Sequence, residues 1–187
     1  MVEKIFLGTQ SLLDDSFALA AKVLESGFRP KIIIALWRGG TPIGIAVQEF
    51  LDYYGDCNSD NIAIRTTSYQ GIEKRADAVD IYGMSYLLKN LNYQDSVLIV
   101  DDVFDTGNTI KAVIDQLINK ARKNAPHDIR VAVPWYKPKA NQTDRIPDYY
   151  LHTTEKWISF PYELDGLSAE EIRDNMPRIY DIIKTAL

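Results

Sequence analysis

The run Val97-Leu98-Ile99-Val100-Asp101-Asp102-Val103-Phe104-Asp105-Thr106-Gly107-Asn108-Thr109 decides the fold of this chain. Val97 to Val100 are unbroken apolar residues, which suits a parallel strand covered on both faces; a strand with one wet face would alternate. Beyond Thr109, the apolar residues Ile110, Val113, Ile114, Leu117, Ile118 and Ala121 recur at helical spacing. Residues 101 to 109 therefore connect the carboxyl end of a buried strand to the start of a helix, the place where open α/β sheets bind ligands.

The flanking sequence repeats this alternation. Leu12, Leu13, Phe17, Ala20, Ala21 and Leu24 share a helical face that ends at Gly27. After Pro30, Lys31 to Trp37 is apolar and β-branched enough for a buried strand, and Pro42 opens a second helix reaching about Tyr54. Ile62 to Thr66, Ile129 to Trp135 and Tyr149 to His152 read as further strands, while the stretch from Thr67 to Asp80 is polar with little periodicity. Ser168-Ala169-Glu170-Glu171 has the form of a capping box, and helical spacing continues through Ile172, Met176, Ile179 and Ile183, with Pro177 expected to break or kink it. The pattern predicts an α/β fold with a mostly parallel central sheet flanked by helices.

At 187 residues without repeats or low-complexity tracts, one domain spanning 1–187 is the simplest organisation. No apolar run approaches the roughly 20 residues that span a bilayer, and Met1-Val2-Glu3-Lys4 lacks the layout of a signal peptide, so no membrane association is expected. A single cysteine, Cys57, cannot form an internal disulfide; it reads as a packing or surface thiol in a cytoplasmic protein. The net charge of -5 argues against a general nucleic-acid surface, although a small anionic ligand needs only a local positive pocket. His127 and His152 have no Cys or acidic neighbours at metal-ligand spacing and read as surface or core histidines.

Each part of the 101–109 segment has its own chemical use. The adjacent carboxylates of Asp101 and Asp102 can accept hydrogen bonds from vicinal sugar hydroxyls or help hold a hydrated Mg2+ shared with substrate phosphate. Thr106, Gly107, Asn108 and Thr109 combine hydroxyls, a glycine that permits close backbone approach, and the open amides of a helix start, all of which favour a phosphate. Asp105 would repel that phosphate unless it faces elsewhere, so it is expected to point at the group being joined to the sugar.

Together, Asp101-Asp102 and Asp105-Thr106-Gly107-Asn108-Thr109 resemble the phosphoribosyl diphosphate motif of the type I phosphoribosyltransferases. The likeness extends over most of residues 30 to 162. Arg38-Gly39-Gly40, after the first core strand, is similar to the family's diphosphate loop, which implies that Trp37 to Thr41 take the leaving diphosphate with Arg38 as the main cation. Thr41 departs from the family, which often has an apolar residue there. Ser68-Tyr69 resembles the start of the mobile loop of the 6-oxopurine members, a lid that would exclude water from a reactive ribosyl cation. Lys137 in Lys137-Pro138, and the Trp157-Ile158 pair, resemble the purine pocket of the hypoxanthine, guanine and xanthine enzymes: the lysine marks O6 and the pair forms a hood. That implies a small C-terminal hood, with a helix, from about residue 153 to 187.

The resemblance implies Mg2+-dependent transfer of a 5-phosphoribosyl group from phosphoribosyl diphosphate to a 6-oxopurine base, by a homodimer or homotetramer. Asp101 and Asp102 would hold ribose and metal, residues 105 to 109 the 5-phosphate, and Asp105 would be the general base toward the purine imidazole proton. Two alternatives share the motif. One is a transferase for another base, with a different hood. The other is a non-catalytic regulator that binds phosphoribosyl diphosphate, for which a basic surface or an added DNA-binding domain would be expected.

Overall fold

The computed structural model describes residues 3–68 and 79–186. Its elements alternate as expected: β1 (Lys4–Phe6), α1 (Thr9–Glu25), β2 (Ile32–Trp37), α2 (Gly40–Gly55), β3 (Asp60–Ser68), β4 (Val79–Tyr82), α3 (Met84–Asn90), β5 (Ser96–Val100), β6 (Val103–Phe104), α4 (Asn108–Ala121), β7 (Asp128–Tyr136), β8 (Tyr149–Thr153), β9 (Trp157–Ser159), α5 (Ala169–Asn175) and α6 (Pro177–Ala186). They form two units, Leu13–Glu155 and the N-terminal segment to Leu12 with Lys156 onward.

The larger unit is built on a seven-stranded sheet ordered β4-β3-β2-β5-β7-β6, with β8 also on β7. Every pairing is parallel except β3 with β4. Because side chains alternate across a strand, Ile32, Ile34, Leu36, Val97, Ile99, Val131 and Val133 share one face, where they pack with Met84, Leu87 and Leu91 of α3 and Ile110, Val113, Ile114 and Leu117 of α4. The opposite face carries Ile33, Ala35, Leu98 and Val100, all buried. On that side α2 lies close, its Gly44 leaving no room for a Cβ, which would stand 2.8 Å from the Ala35 Cβ. A sheet covered on both faces is what the unbroken apolar strands require.

From β2 the chain crosses through α2 to β3 on one side, and from β5 it crosses through α4 to β7 on the other. The carboxyl ends of β2 and β5 thus meet at the point where the winding reverses, which opens a crevice between the loops that follow them.

The polar stretch that follows Ile62 to Thr66 is not all loop. Its two ends pair as an antiparallel ladder, Thr67 opposite Asp80 and Ser68 opposite Val79. At four residues, Val79-Asp80-Ile81-Tyr82 is too short for its alternation to stand out from the polar stretch before it. In the smaller unit, β1 and β9 pair in parallel with Ile5 opposite Ile158. Pro177 separates α5 from α6 and starts α6, where its missing amide hydrogen costs no helical bond.

Candidate active site

The sugar-phosphate segment begins where a ladder is interrupted. β5 pairs with β7 up to Val100 opposite Ala132, and β6 resumes in the same register with Val103 opposite Trp135. That register sets Asp102 against Pro134, which has no amide hydrogen to donate. Asp101 and Asp102 occupy the gap. The Asp102 amide donates to Asp101 Oδ1 at 3.0 Å. Burial first, and the neighbouring Asp102 carboxylate second, push the Asp101 carboxyl well above the ordinary carboxylate range.

Beyond β6 the chain turns through Gly107, at φ 77°. A Cβ here would lie 2.7 Å from both Phe104 Cε1 and Thr143 Oγ1, so the position demands glycine for its conformation and for its space. Gly107 offers α4 no side-chain cap; the Asn108 amide meets Thr106 Oγ1 at 3.4 Å, and the next amides of the first turn are left for a ligand. A cavity of about 70 Å3 is lined there by Asp101, Asp105, Thr106, Gly107 and Thr109 among others.

The second loop follows β2, the strand next to β5. Trp37 and Arg38 are joined by a cis peptide bond, and both side chains are exposed. Gly40 then packs so closely on the end of β5 that a Cβ would stand 2.4 Å from the Val100 carbonyl oxygen and 2.9 Å from Asp101 Cα. This approach brings the Trp37 to Gly40 loop beside the acid pair. α2 also starts without a side-chain cap, and the Thr41 hydroxyl is buried without a hydrogen-bond partner among the described residues. By contrast, α5 carries the complete capping box expected of Ser168 and Glu171.

A third contribution comes from the end of β7. The Lys137 amide donates to the Phe104 carbonyl at 2.9 Å, and its ammonium lies 2.9 Å from Asp105 Oδ2. The lysine side chain is 10% exposed and the aspartate side chain 42%, so a buried cation meets a carboxylate open to the crevice. Edge-to-face packing of Phe104 on Tyr136, with centroids 5.6 Å apart, holds β6 and β7 in this relation. Residues 32 positions apart are thereby brought into an ion pair.

The larger unit thus gathers Trp37, Arg38, Gly39, Gly40, Asp101, Asp102, Asp105, Thr106, Gly107, Asn108, Thr109 and Lys137 at the carboxyl ends of its strands. Trp157 and Ile158 belong to β9 of the smaller unit, the tryptophan 54% exposed and the isoleucine buried. Ser68 closes β3, and Tyr69 lies outside the described residues. Sequence reasoning missed Gln142, whose amide donates to the Thr106 carbonyl at 2.9 Å and whose Oε1 accepts from Asn108 Nδ2 at 3.0 Å. An isolated polar residue in a connector carries no periodic signal. His152 pairs with Asp15 at 3.1 Å and lies against Trp135, and His127 Nδ1 meets the Tyr93 carbonyl at 2.9 Å.

Residues 6–166 match the family model of the phosphoribosyl transferase domain. Among solved structures, the chain is similar to a purine phosphoribosyltransferase from Pyrococcus horikoshii Ot3, with 32% identity over 88% of this chain and 97% of that one and a TM-score of 0.65. Two structures of lower identity share the fold. One is a Neisseria gonorrhoeae hypothetical protein with bound ppGpp (23% identity, 95% and 98% covered, TM-score 0.74). The other is the xanthine-guanine-hypoxanthine phosphoribosyltransferase of Helicobacter pylori (22% identity, 87% and 96% covered, TM-score 0.66). Sequence comparison with curated proteins finds no significant match. The acid pair in its strand gap, the uncapped helix starts and a match over most of the length agree: this chain belongs to the phosphoribosyltransferase family, with the type I fold.

Proposed function

We propose that this protein transfers a 5-phosphoribosyl group from phosphoribosyl diphosphate to a 6-oxopurine, giving a purine nucleoside 5'-monophosphate and diphosphate. The observation that carries the reading is the Lys137–Asp105 pair at 2.9 Å, a donor beside an acceptor at the edge of the phosphate loop. A 6-oxopurine offers the complement, an acceptor at O6 next to a donor at N7–H. Adenine would set an amino donor against the lysine. A base entering here exchanges the ion pair for one hydrogen bond to each partner.

Thr106, Gly107, Asn108 and Thr109 would hold the 5-phosphate against the open amides of α4, and Asp101 and Asp102 the ribose hydroxyls. Arg38, the amides of Gly39 and Gly40 and the Thr41 hydroxyl would receive the diphosphate beside the start of α2. No group of three or more His, Cys, Asp or Glu among the described residues could cage a metal. The donor set nevertheless suits Mg2+, which binds through one or two carboxylates with the rest from water and substrate oxygens. When bound, Mg2+ would neutralise charge on the departing diphosphate. Two crowded carboxylates, one already disfavoured as an anion, also fit a neighbouring cation.

As the purine N9 lone pair bonds to the sugar C1, the C1–O bond to diphosphate breaks and the electron pair leaves with diphosphate. Asp105 takes the N7 proton, and Lys137 steadies the charge that gathers on O6. The Asp102 carboxylate, with Asp101 beside it, favours the positive charge that develops on the ribose.

A panel of bases assayed with phosphoribosyl diphosphate, with and without Mg2+, tests this. Hypoxanthine, guanine or xanthine should be consumed only with the metal, and adenine, uracil and orotate at least about 100-fold more slowly, as expected when a mismatched polar edge meets buried donors. Turnover confined to adenine or a pyrimidine would overturn the base assignment. Binding of phosphoribosyl diphosphate without turnover of any base would point to the regulator instead.

A further inference from the structure

Residues 137–145, which join the end of β7 to the approach of β8, touch the phosphate loop at successive points. Lys137 begins the segment with its amide on the Phe104 carbonyl at 2.9 Å, and Gln142 follows with its amide on the Thr106 carbonyl at 2.9 Å. The Gln142 side chain reaches past the turn, where Oε1 accepts from Asn108 Nδ2 at 3.0 Å. Gln142 therefore bonds the residues on either side of Gly107, the one position in this loop held at positive φ.

The segment is itself fixed from behind. Asn141 Oδ1 accepts from the Thr143 amide at 2.9 Å and from its hydroxyl at 3.0 Å, while Asn141 Nδ2 donates to the Arg145 carbonyl at 2.9 Å. A brace that is rigid in its own right can set the geometry of what it touches.

We infer that Gln142 is a positioning residue for the 5-phosphate loop: it holds Thr106 by its main chain and Asn108 by its side chain, so that the α4 amides converge before the ligand arrives. The inference rests on the reading of residues 105 to 109 as the 5-phosphate site. Preorganisation of this kind strengthens binding without entering the chemical step. Because the brace starts at Lys137, the same segment links the purine contact to the sugar-phosphate contact.

The size is set by one amide-amide hydrogen bond near the surface, whose net value corresponds to a change of about 2- to 10-fold in affinity. The experiment measures the dissociation constant of ribose 5-phosphate by calorimetry for the wild type, Gln142→Ala, Gln142→Met, Asn108→Ala and the Asn108→Ala/Gln142→Ala pair, with steady-state kinetics alongside. Both Gln142 variants should weaken ribose 5-phosphate by that factor and raise KM for phosphoribosyl diphosphate similarly. Their kcat should stay within about twofold, and Gln142→Ala should add nothing in the Asn108→Ala background. Gln142→Met keeps the length of the side chain without the acceptor, which separates the bond from simple loss of bulk. Wild-type affinity in both variants, or losses that add in the double variant, would overturn the brace while leaving the phosphate site intact. Failure of the wild type to bind ribose 5-phosphate would remove the site reading and the brace with it.

Discussion

Asp105 serves two partners in turn. Its carboxylate stands 2.9 Å from the Lys137 ammonium, and in the proposed reaction it accepts the N7 proton of the purine. Asparagine in its place keeps the shape but can neither carry the charge nor take the proton. Asp105→Asn should lower kcat by about two to four orders of magnitude, the usual contribution of a general base, with affinity for phosphoribosyl diphosphate nearly unchanged. Kinetics and calorimetry on the same preparation check this, and normal turnover would end the base role. At this scale the acids and hydroxyls of residues 101 to 109 were legible because they lie in one run of sequence. Lys137 was reached through family resemblance, since no local pattern announces a contact 32 residues away.

Elements are positioned here by close backbone approach. Gly40 lets α2 start against the end of β5, and a methyl group there would meet main-chain atoms that have no rotamer by which to withdraw. Gly40→Ala should cost about 1–3 kcal/mol of stability by overpacking and raise KM for phosphoribosyl diphosphate, as urea unfolding and steady-state kinetics would report. In the smaller unit, Glu171 caps α5 by accepting from the Ser168 amide at 2.9 Å and pairs with Lys4 at 2.8 Å. The Lys4 hydrogen bond first, and the Ser168 amide second, hold its carboxyl below the ordinary glutamate range. A carboxylate lowered on folding stabilises above its unfolded pKa, and that contribution disappears as pH falls through the folded value. Protection of the α5 amides, taken relative to their intrinsic exchange rates, should therefore fall below about pH 4, near the usual glutamate pKa, and Glu171→Gln should flatten this dependence. The long helices and long strands were legible from their periods, whereas the seven-residue α3 was not. β1, β6 and β9 were not, because strands of two or three residues are too short to show a period.

For the whole molecule, a net charge of -5 coexists with a site proposed for a highly anionic substrate. The two are compatible because Arg38, the open helix starts and Lys137 act over short distances, while more distant surface charge is screened beyond about 10 Å at moderate salt. No helix among the described residues is long and apolar enough to cross a membrane, in line with the absence of a long apolar run. By itself, the sequence determined the α/β class, the buried parallel strands and the strand-to-helix turn at residues 101 to 109, because each depends on patterns confined to neighbouring positions. Tertiary structure alone decided that Pro134 faces Asp102, that Asp105 meets Lys137 and that Gln142 bonds both Thr106 and Asn108. These relations arise from strand order and register, which are set by how distant segments share one core and leave no trace in local spacing.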